Sequence, residues 1–219
     1  MTQARFRTRR DALFVLATTG WVLGLAGAAD PQLAASASRD GGLYRLDPSR
    51  TSLRFTARVL GLGAYPGQFK MPEGEVLLDP SEPGRVRIDV SAPIDQVSTP
   101  NPWITQALQG PRWLDAAQYP RMSFHAEHLS LMGEGRIRVD GRLTLRGVTR
   151  PLTLEGRLDP AAKGDLDRGL VLGLKATGEL RRSAYGLLAY RPLIGDELEI
   201  SLDAAFVRAS GGAAGAMSP

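Results

Sequence analysis

The chain has 219 residues, contains no cysteine and carries a formal net charge of +4 at pH 7. Once a leader and a tail are subtracted, the remaining length suits one domain. A domain of this size can bury a hydrophobic core that needs no disulfides or bound metal ions to be stable. The absence of cysteine excludes disulfides, thiolate metal sites, thiol nucleophiles and a lipid-modified N-terminal cysteine.

The first segment of the chain has the features of an export signal. Four arginines among the first ten residues, two of them adjacent, precede an apolar stretch over residues 12–29. Small-residue cleavage motifs follow near residues 28 and 37. We therefore predict that residues 1–37 form a signal and a short linker, which would direct the protein to the periplasm or the exterior. A twin-arginine signal, a general secretory signal and a retained membrane anchor are the alternatives.

The basic character of the chain belongs mainly to this leader. Residues 1–28 hold four arginines and one aspartate, so their removal lowers the net charge from +4 to +1. In the rest of the chain, arginines alternate with acidic residues and no arginine run is interleaved with aromatic residues. The sequence therefore gives no indication of nucleic-acid binding.

Apolar and polar residues alternate along most of residues 43–208, and this period of two predicts strands with one buried face. The hairpin at residues 143–154 is the clearest case, since two alternating runs flank a turn that contains Gly147 and is closed by Pro151. The alternating apolar positions are Leu53, Phe55, Ala57, Val59, Val86, Ile88, Val90, Met122, Phe124, Ala126, Ile137, Val139, Leu143, Leu145, Leu170, Leu172, Leu174, Ala176, Leu198, Ile200, Leu202, Ala204 and Phe206.

About eight such strands follow one another without recurring helices, which indicates an all-β protein with an antiparallel sheet in meander order. A sheet of that length tends to curl, and closure into a barrel removes its exposed edges. We therefore predict an up-and-down β-barrel. A two-sheet sandwich requires strands of the same kind and is the structural alternative.

Residues 101–120 interrupt the strand pattern. One helical turn is predicted at residues 104–108 and another at 111–118, where the proline at the start suits the first helical position. Trp103 and Trp113 lie in this segment. They would either touch a ligand or a membrane as part of a flap over the barrel mouth, or complete the core as part of a plug. The plug is the preferred interpretation.

Catalytic and metal-binding motifs are largely lacking. His125 and His128 are the only histidines, and a separation of three along a strand predicts that they point to opposite faces. Residues 61–67 nearly match a dinucleotide-binding fingerprint, but Pro66 replaces its third glycine and no helix is predicted to follow. The serines lack a nucleophile elbow or a suitably placed base. We therefore expect no enzymatic activity, no metal and no cofactor.

Several short motifs, each weak alone, occur in an order that is fairly specific. They are Tyr44-Arg-Leu-Asp47 with Ser52 and Phe55, Gly67-Gln-Phe69, Tyr119-Pro120 followed by Ser123-Phe124, Gly141-Arg-Leu-Thr-Leu-Arg-Gly-Val-Thr-Arg-Pro151, Arg182-Ser-Ala-Tyr-Gly186 and Asp196-Glu-Leu-Glu-Ile-Ser-Leu202. On these motifs the chain resembles the YceI-like family of periplasmic polyisoprenoid-binding proteins, from about Tyr44 to Phe206.

The resemblance implies a lipocalin-like barrel over residues 43–208 that binds a polyisoprenoid, of quinone or polyprenyl type, or a fatty-acyl chain. A barrel of about eight strands is either filled by its own side chains or wide enough for one slender ligand. An apolar lining favours a long hydrocarbon chain, because burial contributes about 25 cal/mol per Å² of apolar surface. The candidate ligand contacts are Phe55, Val59, Phe69, Val86, Ile88, Val90, Trp103, Trp113, Phe124, Leu143, Leu145, Leu154, Leu172, Leu174, Ile200, Leu202 and Phe206, and core packing explains each equally well.

Three functions stay open on the sequence alone. A lipid carrier is preferred, an envelope-stress or structural module with a filled barrel is the main alternative, and an enzyme acting on a quinone or lipid is weaker. Arg182 and Ser183 would either orient a polar ligand head or, as preferred, make outward structural pairs. A carrier would be compatible with transient contact with a membrane or a membrane protein. The sequence does not determine the oligomeric state, and a dimer is one of the possibilities. Residues 209–219 are predicted to be disordered.

Overall fold

The computed structural model describes residues 42–79, 84–159 and 170–209. The predicted signal lies outside these residues, as does the predicted disordered tail apart from its first residue. The described parts form β1 (Gly42–Leu46), β2 (Ser52–Val59), β3 (Gly63–Phe69), β4 (Glu73–Leu78), β5 (Arg85–Pro93), β6 (Val97–Ser98), helix α1 (Pro102–Gln109), β7 (Arg121–Leu131), β8 (Arg136–Leu145), β9 (Val148–Asp159), β10 (Leu170–Arg181) and β11 (Ile194–Arg208).

These strands form a closed antiparallel barrel with eight strand positions. The first three positions are each occupied by two short strands, β1 with β2, β3 with β4 and β5 with β6, because the chain bends between them. Each position pairs with the next, and β11 pairs back with the first, so that Leu46 lies opposite Phe206 and Leu53 opposite Leu202. The predicted up-and-down barrel is confirmed, and the sandwich alternative is wrong.

The alternation of apolar and polar residues along the strands separates a polar, solvent-exposed outer surface from an apolar interior. On β8, for example, Ile137 and Val139 are buried inside the barrel. The outward residue Arg138 lies 3.2 Å from Asp140 and 3.3 Å from Glu155. Exposed ion pairs of this kind contribute little to the stability of the fold, because solvent screens them. Apolar burial inside the barrel is therefore the main stabilising term.

Close approach of two strands fixes one large ring inside the barrel. The ring of Phe55 on β2 lies across Gly67 on β3, and a Cβ atom at position 67 would stand 2.1 Å from its Cζ atom. Only glycine gives the ring this space. The ring then lies 5.5 Å from that of Phe69, centroid to centroid, so the sequence Gly67-Gln-Phe69 determines how the interior is shaped at this point.

A β-bulge on β7 changes the predicted position of a histidine. The register between β7 and β8 shifts between Ala126 and His128, and the inward face continues at Leu129 instead of at residue 128. His128 is therefore exposed on the same outer face as His125, and the prediction of opposite faces is wrong. Within the described ranges, no three His, Asp or Glu side chains are grouped as metal ligands.

The segment at residues 101–120 holds the short helix α1, as predicted near this position. Asn101 caps it by accepting a hydrogen bond from the Trp103 backbone N–H at 2.9 Å. The second predicted helical turn, at 111–118, is wrong: turns replace it, and Asp115 adopts a left-handed conformation with φ of 54° that ends any helix. None of the helices described here has the length and apolar character needed to cross a bilayer.

The two tryptophans of this segment lie in different surroundings. Trp103 is 80% exposed, so its predicted role in a plug that completes the core is wrong. Trp113 is partly buried and stacks on Tyr190, with ring centroids 6.0 Å apart. Since α1 contains no fully buried residue, it covers the end of the barrel rather than filling it.

Candidate functional site

The barrel encloses a cavity of about 490 Å³. This volume lies within the range of roughly 300–1,000 Å³ that is typical of small-molecule sites. The wall is built from the inward positions of the strands and is almost wholly aliphatic and aromatic. Such a site can desolvate an apolar molecule, whereas it offers few partners for a charged one.

All but two of the predicted contact residues face this cavity. They are Phe55, Val59, Phe69, Ile88, Val90, Trp103, Trp113, Phe124, Leu143, Leu145, Leu154, Leu174, Ile200, Leu202 and Phe206. Val86 is buried in the core near the start of β5 but is not part of the wall. The side chain of Leu172 lies outside the described part of the chain. Contact between these residues and a ligand stays a prediction.

Three segments cover one end of the cavity, and together they are called the lid. They are the β2–β3 turn at residues 60–62, helix α1 and the loop at residues 182–193 between β10 and β11. The backbone N–H of Leu60 donates to the carbonyl of Leu193 at 2.8 Å, which joins the turn to the loop. Side chains from all three segments reach the cavity, among them Leu62, Ile104 and Leu187.

Arg182 is the only charged side chain in the described wall, and it organises the lid. It is 1% exposed, and its guanidinium donates to the carbonyls of Gly195 at 2.8 Å, Ala189 at 3.0 Å and Ile194 at 2.7 Å, and also to that of Leu187. Burial lowers the pKa of Arg182, but a guanidinium stays charged in a protein. Its predicted outward pairing is therefore wrong.

The neighbouring residue Ser183 has the structural role that the sequence favoured. Its hydroxyl donates to Asp196 at 2.7 Å and its backbone N–H donates to the same carboxylate at 3.0 Å. The hydroxyl hydrogen bond holds the pKa of Asp196 below its usual value despite the opposing effect of burial. Arg191 lies 3.2 Å from this carboxylate, so both ends of the loop are fixed to the start of β11.

Sequence reasoning missed the lid loop as part of the site. Leu187 and Tyr190 face the cavity. Trp113 contacts both Tyr190 and the guanidinium of Arg182, which is 5.7 Å from a Trp113 ring centroid. One sequence feature could have indicated that this loop belongs to the site. Residues 187–194, Leu-Leu-Ala-Tyr-Arg-Pro-Leu-Ile, have an apolar content that is unusual for an exposed loop.

A charged cluster lies on the outer face of β5 and β7. His125 Nδ1 is 2.7 Å from Asp89, and this hydrogen bond is the main cause that raises the pKa of His125 and lowers that of Asp89. Glu127 and Arg87 also contact the pair, at 3.5 Å from His125 and 3.0 Å from Asp89 respectively. These groups lie outside the barrel and do not reach the cavity.

The titration of His125 provides a test of this cluster. We expect its folded-state pKa to lie above the ordinary 6.5, so its stabilising contribution is complete below pH 6.5 and is lost as the pH rises through the folded-state pKa. The stabilising contribution of Asp89 is present above its unfolded-state pKa. It is lost as the pH falls through its folded-state pKa, which is lowered. Because both side chains are about half exposed, the pair contributes little to the free energy of unfolding, about 0.2–1 kcal/mol.

Histidine proton NMR checks this expectation directly. Asp89→Asn should move the pKa of His125 back towards 6.5, whereas Arg87→Gln, which leaves the hydrogen bond in place, should change it little. An unshifted His125 in the unsubstituted protein would show that the hydrogen bond to Asp89 does not form in solution.

An up-and-down barrel around an apolar cavity, covered at one end by a short helix and loops, defines a lipocalin-like protein. The family model described as "YceI-like domain" matches residues 44–206. The chain therefore belongs to the YceI-like family, which confirms the resemblance drawn from the sequence motifs.

The curated relatives cover most of the barrel. A protein of Yersinia pestis (strain Pestoides F) named "UPF0312 protein" is 26% identical over 161 residues, which are 73% of this chain and 83% of the relative. A UPF0312 protein of Enterobacter sp. (strain 638) is 26% identical over 147 residues, 66% of this chain and 75% of the relative.

Solved structures share the same architecture. Burkholderia cenocepacia BcnA has a TM-score of 0.64 at 17% identity, over 73% of this chain and 98% of that protein. A polyisoprenoid binding domain from Saccharophagus degradans, described as implicated in plant cell wall breakdown, has a TM-score of 0.58 at 14% identity, over 76% of this chain and 98% of that domain. At these identities the likeness establishes the fold alone.

Proposed function

We propose that the protein binds one molecule with a long apolar chain inside the barrel and carries it without covalent chemistry. The apolar part of this ligand is an isoprenoid of quinone or polyprenyl type or a fatty-acyl group. The cavity of about 490 Å³, lined by aliphatic and aromatic side chains, is the observation that carries this proposal. Removing apolar surface from water contributes about 25 cal/mol per Å², enough to hold such a chain without charged contacts. The description of the Saccharophagus degradans domain as polyisoprenoid binding supports the same ligand class.

The cavity also favours a carrier over a module with a filled barrel. Native cores are close-packed and contain few voids larger than a water molecule. A space of hundreds of Å³ lined by residues such as Leu143, Leu154 and Ile200 is costly for a protein that acts only through its outer surface.

The lid supports transient docking on a lipid bilayer as the route by which the ligand enters and leaves. Seven large apolar side chains are exposed there: Leu60, Leu62, Trp103, Ile104, Leu188, Tyr190 and Leu193. Helix α1 contains no charged residue, and the only charge in residues 187–193 is that of Arg191. An apolar patch that continues into an apolar cavity lets a hydrocarbon chain pass from a bilayer without crossing water.

We further propose that the protein is exported, with residues 1–37 as its signal and linker. The basic and then apolar pattern of this segment supports export. Intact mass measurement of the protein from the periplasmic fraction of its source cells tests it. A chain that begins near residue 29 or residue 38 is expected, and a full-length chain confined to the cytoplasm would contradict export.

Tryptophan fluorescence tests ligand binding, because Trp103 and Trp113 both line the cavity. Apart from Trp21, which lies in the proposed signal, these are the only tryptophans of the sequence. Titration of delipidated protein with a short polyprenol or a long-chain fatty acid should give a saturable emission change at one ligand per chain. Butyrate, which offers too little apolar surface, is the matched control. Absence of a saturable change with every long chain would contradict the proposal.

A further inference from the structure

Positive charge is concentrated at the lid end of the barrel. The chain segments at this end are residues 57–66, 99–114, 145–151 and 181–195. They contain no aspartate or glutamate and seven arginines, which are Arg58, Arg112, Arg146, Arg150, Arg181, Arg182 and Arg191. The acidic residues that border them are four, Asp95, Asp115, Asp196 and Glu197. The lid end is therefore distinctly basic, although the chain without residues 1–28 has a net charge of only +1.

The β8–β9 turn belongs to this end of the barrel through Arg146. Its guanidinium donates to the carbonyls of Pro111 at 2.9 Å and Gly186 at 3.1 Å, and so joins the segment after α1 to the loop at residues 182–193. Arg182 likewise donates to backbone carbonyls. Because carbonyls are neutral, these hydrogen bonds fix both side chains without neutralising their charge.

Arg58 and Arg112 carry the positive charge to the surface of the lid. Both side chains are exposed, and neither is part of the described cavity wall. Arg58 lies two residues before the exposed Leu60, and Arg112 lies three residues after the end of α1. Arg191 is exposed as well, but it lies 3.2 Å from Asp196. Charged and apolar side chains therefore occupy the same surface.

An apolar surface bordered by arginines is complementary to a bilayer that carries negative charge. Exposed side chains such as Leu62 and Trp103 can enter the acyl region, while long arginine side chains keep their guanidinium groups at the head-group level. A guanidinium binds a phosphate through two parallel hydrogen bonds. The cavity behind the lid favours a lipid surface over an acidic protein as the partner, because the proposed ligands reside in bilayers.

We propose that the lid docks preferentially on anionic lipid, with Arg58, Arg112 and Arg191 at the level of the lipid phosphates. This inference rests on the proposed function and names the membrane partner of the same site, a bilayer surface with net negative charge. Each arginine near such a surface strengthens binding about fivefold. A neutral bilayer offers the apolar contacts alone and is the weaker partner.

The test measures cosedimentation of the protein with vesicles of phosphatidylcholine and with vesicles of equal parts phosphatidylcholine and phosphatidylglycerol. We expect binding to the anionic vesicles to be at least about tenfold tighter, and this preference to disappear at high ionic strength. Arg58→Gln/Arg112→Gln should bind the anionic vesicles about 10- to 30-fold more weakly than the unsubstituted protein. Arg58→Lys/Arg112→Lys, which keeps both charges, should retain most of the preference.

Arg136→Gln/Arg157→Gln is the matched control. It removes the same number of charges from exposed positions that lie opposite each other at the other end of the barrel, and it should keep the preference for anionic vesicles. All variants should bind palmitate normally in the tryptophan titration, because none of these arginines is part of the described cavity wall.

Equal binding of the unsubstituted protein to both kinds of vesicle would overturn this inference, and so would equal losses in the two glutamine variants. Binding to neither kind would also overturn it and would favour an acidic protein as the partner of the lid. Each of these results leaves the carrier intact, whereas failure of the unsubstituted protein to bind any long chain in the titration contradicts the proposed function itself.

Discussion

Substitution of Ala176 by phenylalanine is expected to lower the affinity for a long-chain ligand about a hundredfold, or 2.7 kcal/mol. Ala176 lies on β10, is 4% exposed and faces the cavity. Its small side chain leaves part of the interior free, and a phenyl ring there would occupy the space that the ligand chain requires. Affinity is measured with the tryptophan titration described above.

The stability of this variant separates a hollow barrel from a filled one. In a close-packed core an inserted ring costs typically 1–3 kcal/mol, whereas a ring that enters an existing cavity buries apolar surface without strain. We expect the free energy of unfolding of Ala176→Phe, from denaturant titration, to change by less than about 1 kcal/mol.

The adjacent outward residue Thr177 provides the matched control on the same strand. Thr177→Phe points to solvent and should affect neither binding nor stability by much. Strong destabilisation of Ala176→Phe together with normal ligand binding would contradict a hollow barrel, since the ring and the ligand would then occupy different places.

Replacement of two lid leucines by aspartate, in Leu60→Asp/Leu62→Asp, is expected to slow ligand exchange with lipid vesicles at least about tenfold. Both side chains are exposed on the β2–β3 turn, where insertion into a bilayer would gain about 1.5–3 kcal/mol for each leucine buried. Two carboxylates reverse that gain. The exchange rate is followed by transfer of a fluorescent fatty acid from vesicles of phosphatidylcholine.

The opposite end of the barrel supplies a control with the same chemistry. Leu131 and Met132 are also exposed, but they lie at the β7–β8 turn, away from the lid. Leu131→Asp/Met132→Asp should leave the exchange rate unchanged. If both double variants slow exchange equally, or neither does, the lid is not the docking surface.

The barrel itself could be read from the sequence because its main determinant is local. Inward residues such as Phe124, Leu143 and Leu202 alternate with polar neighbours, and a single apolar face over eight strands leaves closure as the simplest way to bury it. The same alternation placed most of the wall residues correctly.

Features that depend on contacts distant in sequence could not be read in this way. Arg182 follows a strand and precedes a serine, a context typical of an exposed turn, and its burial is possible only because the loop brings four carbonyls to one side chain. The bulge before His128 likewise depends on the register with β8, which alternation does not specify. Trp103 is exposed although tryptophan is usually buried, because α1 covers the cavity from outside.

The existence of a cavity was also beyond sequence reasoning. Residues such as Leu154 and Ile200 would be apolar in a filled barrel and in a hollow one alike. The difference depends on strand tilt and on how side chains of different size meet across the interior, which only the three-dimensional arrangement reveals.

Native mass spectrometry of the protein purified from its source cells without detergent, combined with organic extraction, tests the carrier function most directly. We expect one copurifying apolar molecule per protein chain, with an isoprenoid or acyl tail. Protein that carries no such molecule and also resists loading with long-chain isoprenoids and fatty acids would contradict the proposal and favour a module that acts through its outer surface.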